Sequence, residues 1–374
     1  MNILYVTTIA STMGFFVDHI KLLQAAGNTV ELACNDEDGF SESVLALGCP
    51  VHRIPFSRAP LSGDNLRAFR ELKRLIHEHH YDIIHTHTPN ASAMVRLAAR
   101  DLRRGGTRVF YTAHGFHFYT GAPLKNRLLY YPVEWLCSFW TDVQITINRE
   151  DYERARKHLH AAKTVYTHGG GGGVGLRSFA PARLSEEERA EERRKLGVQP
   201  DEVLLINVGE LSHRKNQETL LRAMAKLGDP GVKLIICGEG DERSRYEQRI
   251  KELGLSDRVR LLGHRSDVAR LYVCSDVFVF PSRQEGLSAA LLEAMACGLP
   301  AVCSAIRGNV DLIEDGKGGF LHAPDDADAI VKGVETLARD AALRRQMGER
   351  NREEVKKYGP DTLLPEIAAI YGIG

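Results

Sequence analysis

The chain has 374 residues, of which 43% are hydrophobic, and its 49 Lys/Arg and 49 Asp/Glu give a formal net charge of zero at pH 7. That length exceeds what one hydrophobic core usually supports, so two domains are expected. Balanced charge gives no general attraction for nucleic acid, and without a basic tail or binding fingerprint nucleic acid is excluded as an expected partner.

In chain order, residues 3–7 read as a buried strand, followed by a glycine-containing turn at Gly14 and an amphipathic helix over 17–23. Further strands are predicted over 30–34, 83–87, 108–112 and 143–147, with a helix over 66–77. The run Gly169-Gly170-Gly171-Gly172-Gly173-Val174-Gly175 then interrupts the pattern. Ordering so many glycines within an element costs too much entropy, so it is read as a loop. A charged helix over 186–195 opens a second series. Its strands are predicted over 203–208, 233–237, 259–262, 277–279, 301–303 and 319–322, and its helices over 217–226, 243–253, 267–274 and 289–296. This alternation predicts an α/β protein of two Rossmann-like, doubly wound parallel-sheet domains facing across a cleft. The N-terminal domain is expected over residues 1–175 and the C-terminal domain over 176–355. A final helix within 356–374 is expected to pack back on the first domain.

The seven cysteines are scattered, odd in number and free of C-x-x-C pairs, as buried thiols in a reducing compartment are. The N-terminal residues read as a strand rather than a signal peptide, and no run reaches the roughly 20 apolar residues of a membrane-spanning helix. A cytoplasmic location is therefore expected. The first half is mildly basic and holds most of the histidines. This reads as a solvated surface or as a face resting on anionic lipid.

Ligands of open parallel sheets bind at the carboxyl ends of the strands. The most informative segment there is Pro281-Ser282-Arg283-Gln284-Glu285-Gly286-Leu287-Ser288, leading into Glu293-Ala294-Met295-Ala296-Cys297-Gly298. A strand, a turn and a helix starting near Ser288 bring backbone N–H groups and the positive end of a helix dipole to one point, which suits a diphosphate. Glu285 and Glu293 can accept hydrogen bonds from sugar or ribose hydroxyls. Helix capping by Glu285 and a surface position for Glu293 are the structural alternatives, although the apolar neighbours of Glu293 speak against the latter. A second strand–turn–helix, Val208-Gly209-Glu210-Leu211-Ser212-His213-Arg214-Lys215-Asn216, sets two cations at a helix start, where the dipole favours acids. Arg214 and Lys215 there suit phosphate oxygens. Gly238-Glu239-Gly240 and Gly263-His264-Arg265 are weaker, since G-x-G without a third spaced glycine is no dinucleotide fingerprint. Asp326-Ala327-Asp328 looks like a helix start rather than a metal site. His85 and His87, on alternate strand positions, point to a core or cleft role.

In this order, residues 209–215, Gly238-Glu239-Gly240, Gly263 and the Glu285/Glu293 pair resemble the family 4 retaining glycosyltransferases of the GT-B fold. The resemblance covers the whole chain. Ile84-His85-Thr86-His87, Thr112-Ala113-His114-Gly115-Phe116-His117-Phe118 and Ile306-Arg307-Gly308-Asn309 are similar to the branch that makes bacterial capsular and exopolysaccharide units. The resemblance implies transfer of a sugar from a nucleotide diphosphate donor, UDP-sugar favoured, to a lipid-linked oligosaccharide at the inner membrane face. It implies no metal and no cofactor. Lys215, with Arg214, would neutralise the diphosphate together with the amides of Gly286, Leu287 and Ser288, and Glu293 would hold the ribose. Glu285 and His114 would act on the transferred sugar. Gly14, Gly209, Gly238 and Arg265 would line the donor, with Phe116 and His117 on the acceptor.

Three positions depart from the family pattern. Glu210 stands where Arg is common, Asn216 follows Lys215 where Gly is common, and Gly175 lacks the acid usual in the interdomain loop. A nucleotide-sugar 2-epimerase of similar architecture and a non-catalytic nucleotide-sugar binding protein are the alternative readings. Arg96, Arg100, Arg103, Arg104 and Arg108 are expected to rest on anionic lipid together with the apolar and aromatic residues 128–136, or else the arginines are solvated and the aromatics core.

Overall fold

The computed structural model describes residues 1–59, 62–170 and 184–373. Gly171–Gly173, Val174, Gly175 and Leu176 of the expected interdomain loop lie outside them. The chain divides into two compact units, Met1–Gly173 with Pro360–Gly374, and Val174–Gly359.

The first unit is a seven-stranded parallel sheet in the order β3-β2-β1-β4-β5-β6-β7. Its strands are β1 (Asn2–Ile9), β2 (Thr29–Asn35), β3 (Val51–Arg53), β4 (Ile83–Thr86), β5 (Arg108–Ala113), β6 (Val143–Thr146) and β7 (Lys163–Tyr166). Ile3, Leu4, Tyr5 and Val6 are fully buried, because helices cover both faces of the sheet. The short edge strands β3 and β7, with mixed exposure, were not legible as apolar runs. Nor were the helices Pro89–Ala98 and Arg149–His158, although Asn148 caps the latter by accepting from Asp151 N.

The C-terminal helix Pro360–Tyr371 belongs to this unit and sets Leu363, Ile367, Ile370 and Tyr371 into its core. Tyr371 OH reaches His85 Nδ1 (2.5 Å) and Tyr5 OH (3.0 Å), and Glu366 holds both the ring and the backbone N–H of His168.

The second unit is a six-stranded parallel sheet in the order β10-β9-β8-β11-β12-β13. It comprises β8 (Val203–Val208), β9 (Val232–Cys237), β10 (Val259–Gly263), β11 (Val277–Phe280), β12 (Ala301–Ser304) and β13 (Gly319–His322). The two sheets thus establish the α/β doubly wound class. In each, the strand order reverses once, at β1/β4 and at β8/β11, and chain segments leaving the carboxyl ends of such neighbours diverge to leave a crevice.

The arginine cluster does not form one surface. Arg96 is fully buried and makes a two-pronged ion pair with Glu134 (2.9 and 3.0 Å), with its guanidinium 4.2 Å from the Tyr111 ring centre. Arg103 is paired with Asp142. A buried guanidinium needs a partner that satisfies its charge, and here it joins helix Pro89–Ala98 to helix Leu124–Ser138. The apolar stretch is helical instead: Leu128, Leu129, Val133, Trp135 and Leu136 are exposed, while Glu134 and Cys137 face inward.

Candidate functional site

The turns after β8 and β11 meet because those strands are hydrogen-bonded neighbours, with Leu205 beside Val277 and Ile206 beside Phe278. Polar contacts then stitch the two turns together. Arg283 N donates to Arg214 O (2.9 Å), Arg283 Nη1 to His213 O (2.7 Å) and Asn216 Nδ2 to Pro281 O (3.0 Å). Asn216 is the sole non-glycine residue of positive φ among the described residues, at φ 60°. That left-handed position explains the departure from glycine. Asn is the residue that tolerates it best, and its side chain adds the bonds to Pro281 and to Pro324 O (2.8 Å).

Lys215 and Glu285 form the centre of this arrangement. Lys215 Nζ donates to Glu285 Oε1 at 2.8 Å and lies 4.8 Å from the Phe280 ring centre. Both side chains are largely buried, at 12% and 8% exposure. The Lys215 stem runs beside Gly209, where an added Cβ would stand 3.4 Å from Lys215 Cε. Arg214 is more exposed and divided between two acids, Glu285 at 3.4 Å and Glu210 at 3.5 Å. Glu210 therefore offsets part of the charge Arg214 brings, and the second cation expected at the phosphate site is shared with an acid.

Glu285 does not cap the following helix. Ser288 does, accepting from Leu291 N, and the helix Ala289–Ala296 begins behind it. Glu293 lies within this helix among buried neighbours. Burial raises its pKa to about 7, against the opposing hydrogen bond from Tyr272. Tyr272 OH lies 3.3 Å from Glu293 Oε2 and 3.1 Å from Ala290 O. The phenol has one proton to give, so one of these two acceptors holds it at a time.

The other donor candidates lie at neighbouring strand ends. Gly238 leaves room for the carbonyl of Gly209, since a Cβ there would stand 1.9 Å from that oxygen. Arg265 is held by Asp267 through two bonds, at 2.8 and 2.6 Å. In the first unit a Cβ at Gly14 would meet only Ser41 Oγ at 3.6 Å, an ordinary contact, so the described chain does not itself demand glycine there.

His114 follows β5, and burial pushes its pKa down to about 4, which leaves it neutral at pH 7. Its Nε2 is 3.4 Å from His87 Nδ1, and an added Cβ at Gly170 would stand 3.0 Å from its ring. His85 and His87 lie side by side, ring centres 4.1 Å apart, both buried. Phe116 is not presented to an acceptor. It is 2% exposed and stacked on Phe118 at 4.8 Å, because the segment after His114 turns into the core. His117 is half-buried and stacks on Tyr130. Asp326 caps helix Ala327–Arg339 by accepting from Ala329 N. Among the described residues, no group of three or more His, Cys, Asp or Glu is arranged to hold a metal ion.

Tyr272, Arg283 and Arg307, which sequence reasoning did not assign, contact these segments through Glu293, His213 O and Glu285 O. Arg283 and Arg307 lie inside quoted motifs, but only the folded turns reveal what they hold.

Comparison with known proteins fits this geometry. The family model "Glycosyl transferases group 1" matches residues 188–354, and "Glycosyltransferase Family 4" matches residues 15–170. EpsD of Bacillus subtilis (strain 168), itself assigned provisionally as a glycosyltransferase, is 38% identical over 96% of this chain and 92% of its own length. The UDP-Gal:alpha-D-GlcNAc-diphosphoundecaprenol alpha-1,3-galactosyltransferase of Escherichia coli is 30% identical over 75% of this chain and 72% of its own. Anabaena Alr3699/HepE, crystallised with UDP, superposes with a TM-score of 0.81 at 21% identity over the full length of both chains. The chain belongs to the family 4 glycosyltransferases and has the GT-B fold.

Proposed function

We propose that this glycosyltransferase moves a sugar from a UDP-sugar, with retention of anomeric configuration, onto a lipid-linked saccharide in bacterial polysaccharide biosynthesis at the inner face of the membrane. The observation that carries it is the Lys215–Glu285 pair beside the Ser288-capped helix start, which sets a cation, an acid and backbone amides at one strand edge. In this reading Lys215 and the amides of Gly286–Ser288 bind the diphosphate, Glu293 the ribose, and Glu285 the sugar. His114 is assigned to the sugar on family resemblance. The UDP choice follows the ligand of HepE, and the acceptor class follows the name of the Escherichia coli relative.

Thermal-shift titration with UDP, GDP and ADP in EDTA tests the donor. UDP alone should raise Tm, and the matching sugar nucleotide should yield UDP plus a transferred sugar. No shift with any nucleotide, or a donor returned only with its sugar epimerised at C2, would sink the reading. A pH series adds a sign. The ionised Glu293 carboxylate accepts from two ribose hydroxyls and is lost by protonation as pH falls through about 7. Wild-type affinity for UDP should therefore fall more steeply between pH 8 and 6 than that of Glu293→Gln, a comparison that cancels titration of UDP itself. Parallel pH curves would remove Glu293 from the ribose.

Membrane contact is proposed on helix Leu124–Ser138 rather than on the arginine cluster. Leu124 and Leu128 are 68% and 69% exposed, and Lys125 and Arg127 stand beside them at the surface. Such a face gains from burial in the acyl boundary and from anionic lipid. The protein should pellet with phosphatidylcholine vesicles containing phosphatidylglycerol, and Leu128→Glu with Leu129→Glu should stay in the supernatant. Wild type that never pellets would refute this contact.

A further inference from the structure

The Ile306-Arg307-Gly308-Asn309 turn has no task in the donor reading. It leaves β12, which is hydrogen-bonded to β11, so it lies beside the turn that carries Glu285. Asn309 Nδ2 donates to Ser304 O at 3.0 Å and closes it. Arg307 is 6% exposed, and its Nε donates to the backbone carbonyl of Glu285 at 2.9 Å. Gly308 has φ +82°, and an added Cβ there would stand 2.3 Å from the carbonyl oxygen of Gly286. Two successive carbonyls, those of Glu285 and Gly286, thus rest against this turn.

The described residues contain no cis peptide bond. In a planar trans peptide the C=O and N–H point to opposite sides. The N–H groups of Gly286 and Leu287 therefore both point away from residues 306–309, next to one another. Adjacent N–H groups on one side make a seat for an anion, and here they precede the Ser288-capped helix start.

We infer that Arg307 and Gly308 brace the Glu285–Leu287 backbone so that these two amides face the donor's diphosphate, which makes Arg307 a positioning residue for the donor site. The inference rests on the donor reading above. The brace works through the placement of Arg307 Nε. The bond to Glu285 comes from Nε, where lysine has a methylene and its donor lies one bond further out, and the room for Gly286 comes from the missing Cβ of Gly308. The brace also acts on the residue whose carboxylate meets Lys215, so it sets the amides and the acid together.

Isothermal titration of wild type, Arg307→Ala, Arg307→Lys and Gly308→Ala with UDP, and with uridine by competition, tests it. All three variants should weaken UDP by about tenfold or more, the scale of losing one or two well-aimed hydrogen bonds, with uridine unchanged. Lysine restoring wild-type affinity would show a charge contact and overturn the brace. Equal losses for uridine and UDP would reduce Arg307 to general structure, and unchanged UDP affinity would overturn the inference outright. If Arg307→Ala fails to fold, the other two variants give the same comparison. Wild type that binds neither ligand would sink the donor reading and the brace with it, whereas wild type that binds both separates the two.

Discussion

Lys215→Met should weaken UDP binding by about 10- to 100-fold and leave uridine binding unchanged. A hydrogen bond to a charged group contributes about 1.5–3 kcal/mol, and each 1.4 kcal/mol is a factor of ten. Methionine keeps the unbranched stem that runs beside Gly209 and Phe280, so the packing survives while the cation is lost. Arg214 can compensate only weakly, because Glu210 and Glu285 already flank it. Titration calorimetry with both ligands decides the matter. Equal weakening of uridine would show that the substitution had disturbed the whole site rather than the diphosphate contact.

Glu285→Gln should lower turnover by about 10²- to 10³-fold, the loss seen when one electrostatic contact to a transition state is removed, while UDP affinity holds or improves. Gln has the same shape and can still accept from Lys215 Nζ, so the site should stay assembled. What disappears is the negative charge, which beside the transferred sugar would support positive charge developing there in the transition state. Its loss also leaves the Lys215 charge uncompensated by a buried acid and so more available to the diphosphate, which is why binding is not expected to suffer. The measurement is UDP release from the sugar nucleotide that binds, alongside its dissociation constant. Full turnover in this variant would remove Glu285 from the chemistry. Equal losses in binding and turnover would make it part of the donor seat instead.

The acid at Glu210 illustrates how sequence and structure divide the information. Its departure from the family's arginine is visible in the sequence. That it takes Arg214 as a partner, and so weakens the second cation, depends on the turn between β8 and the next helix. Asn216 is similar. Asparagine in place of glycine looks like a small change, and only its φ of 60° shows why asparagine is tolerated there.

The alternation of apolar strands and amphipathic helices was sufficient for the two doubly wound sheets, because parallel strands are buried on both faces and read as continuous apolar runs. The turns with Lys215 and Glu285, and the helix start that leads to Glu293, were equally legible, since glycine, proline and charge at strand ends mark them locally. The edge strands Val51–Arg53 and Lys163–Tyr166 escaped notice because half-exposed segments carry no such run. Arg96 and Phe116 were misplaced for a related reason. An arginine reads as surface unless its partner is known, and Glu134 lies 38 residues away. An aromatic residue beside a catalytic candidate reads as a binding group until the core claims it. Residue type and local spacing thus pointed to the two sheets and marked the strand-end segments that hold the candidate site residues, and the motifs in those segments carry the resemblance to the family. Which side chains meet, which charges are offset and which peptide carbonyls are held against a neighbouring turn depend on contacts between segments far apart in the chain, and those only the tertiary structure decided.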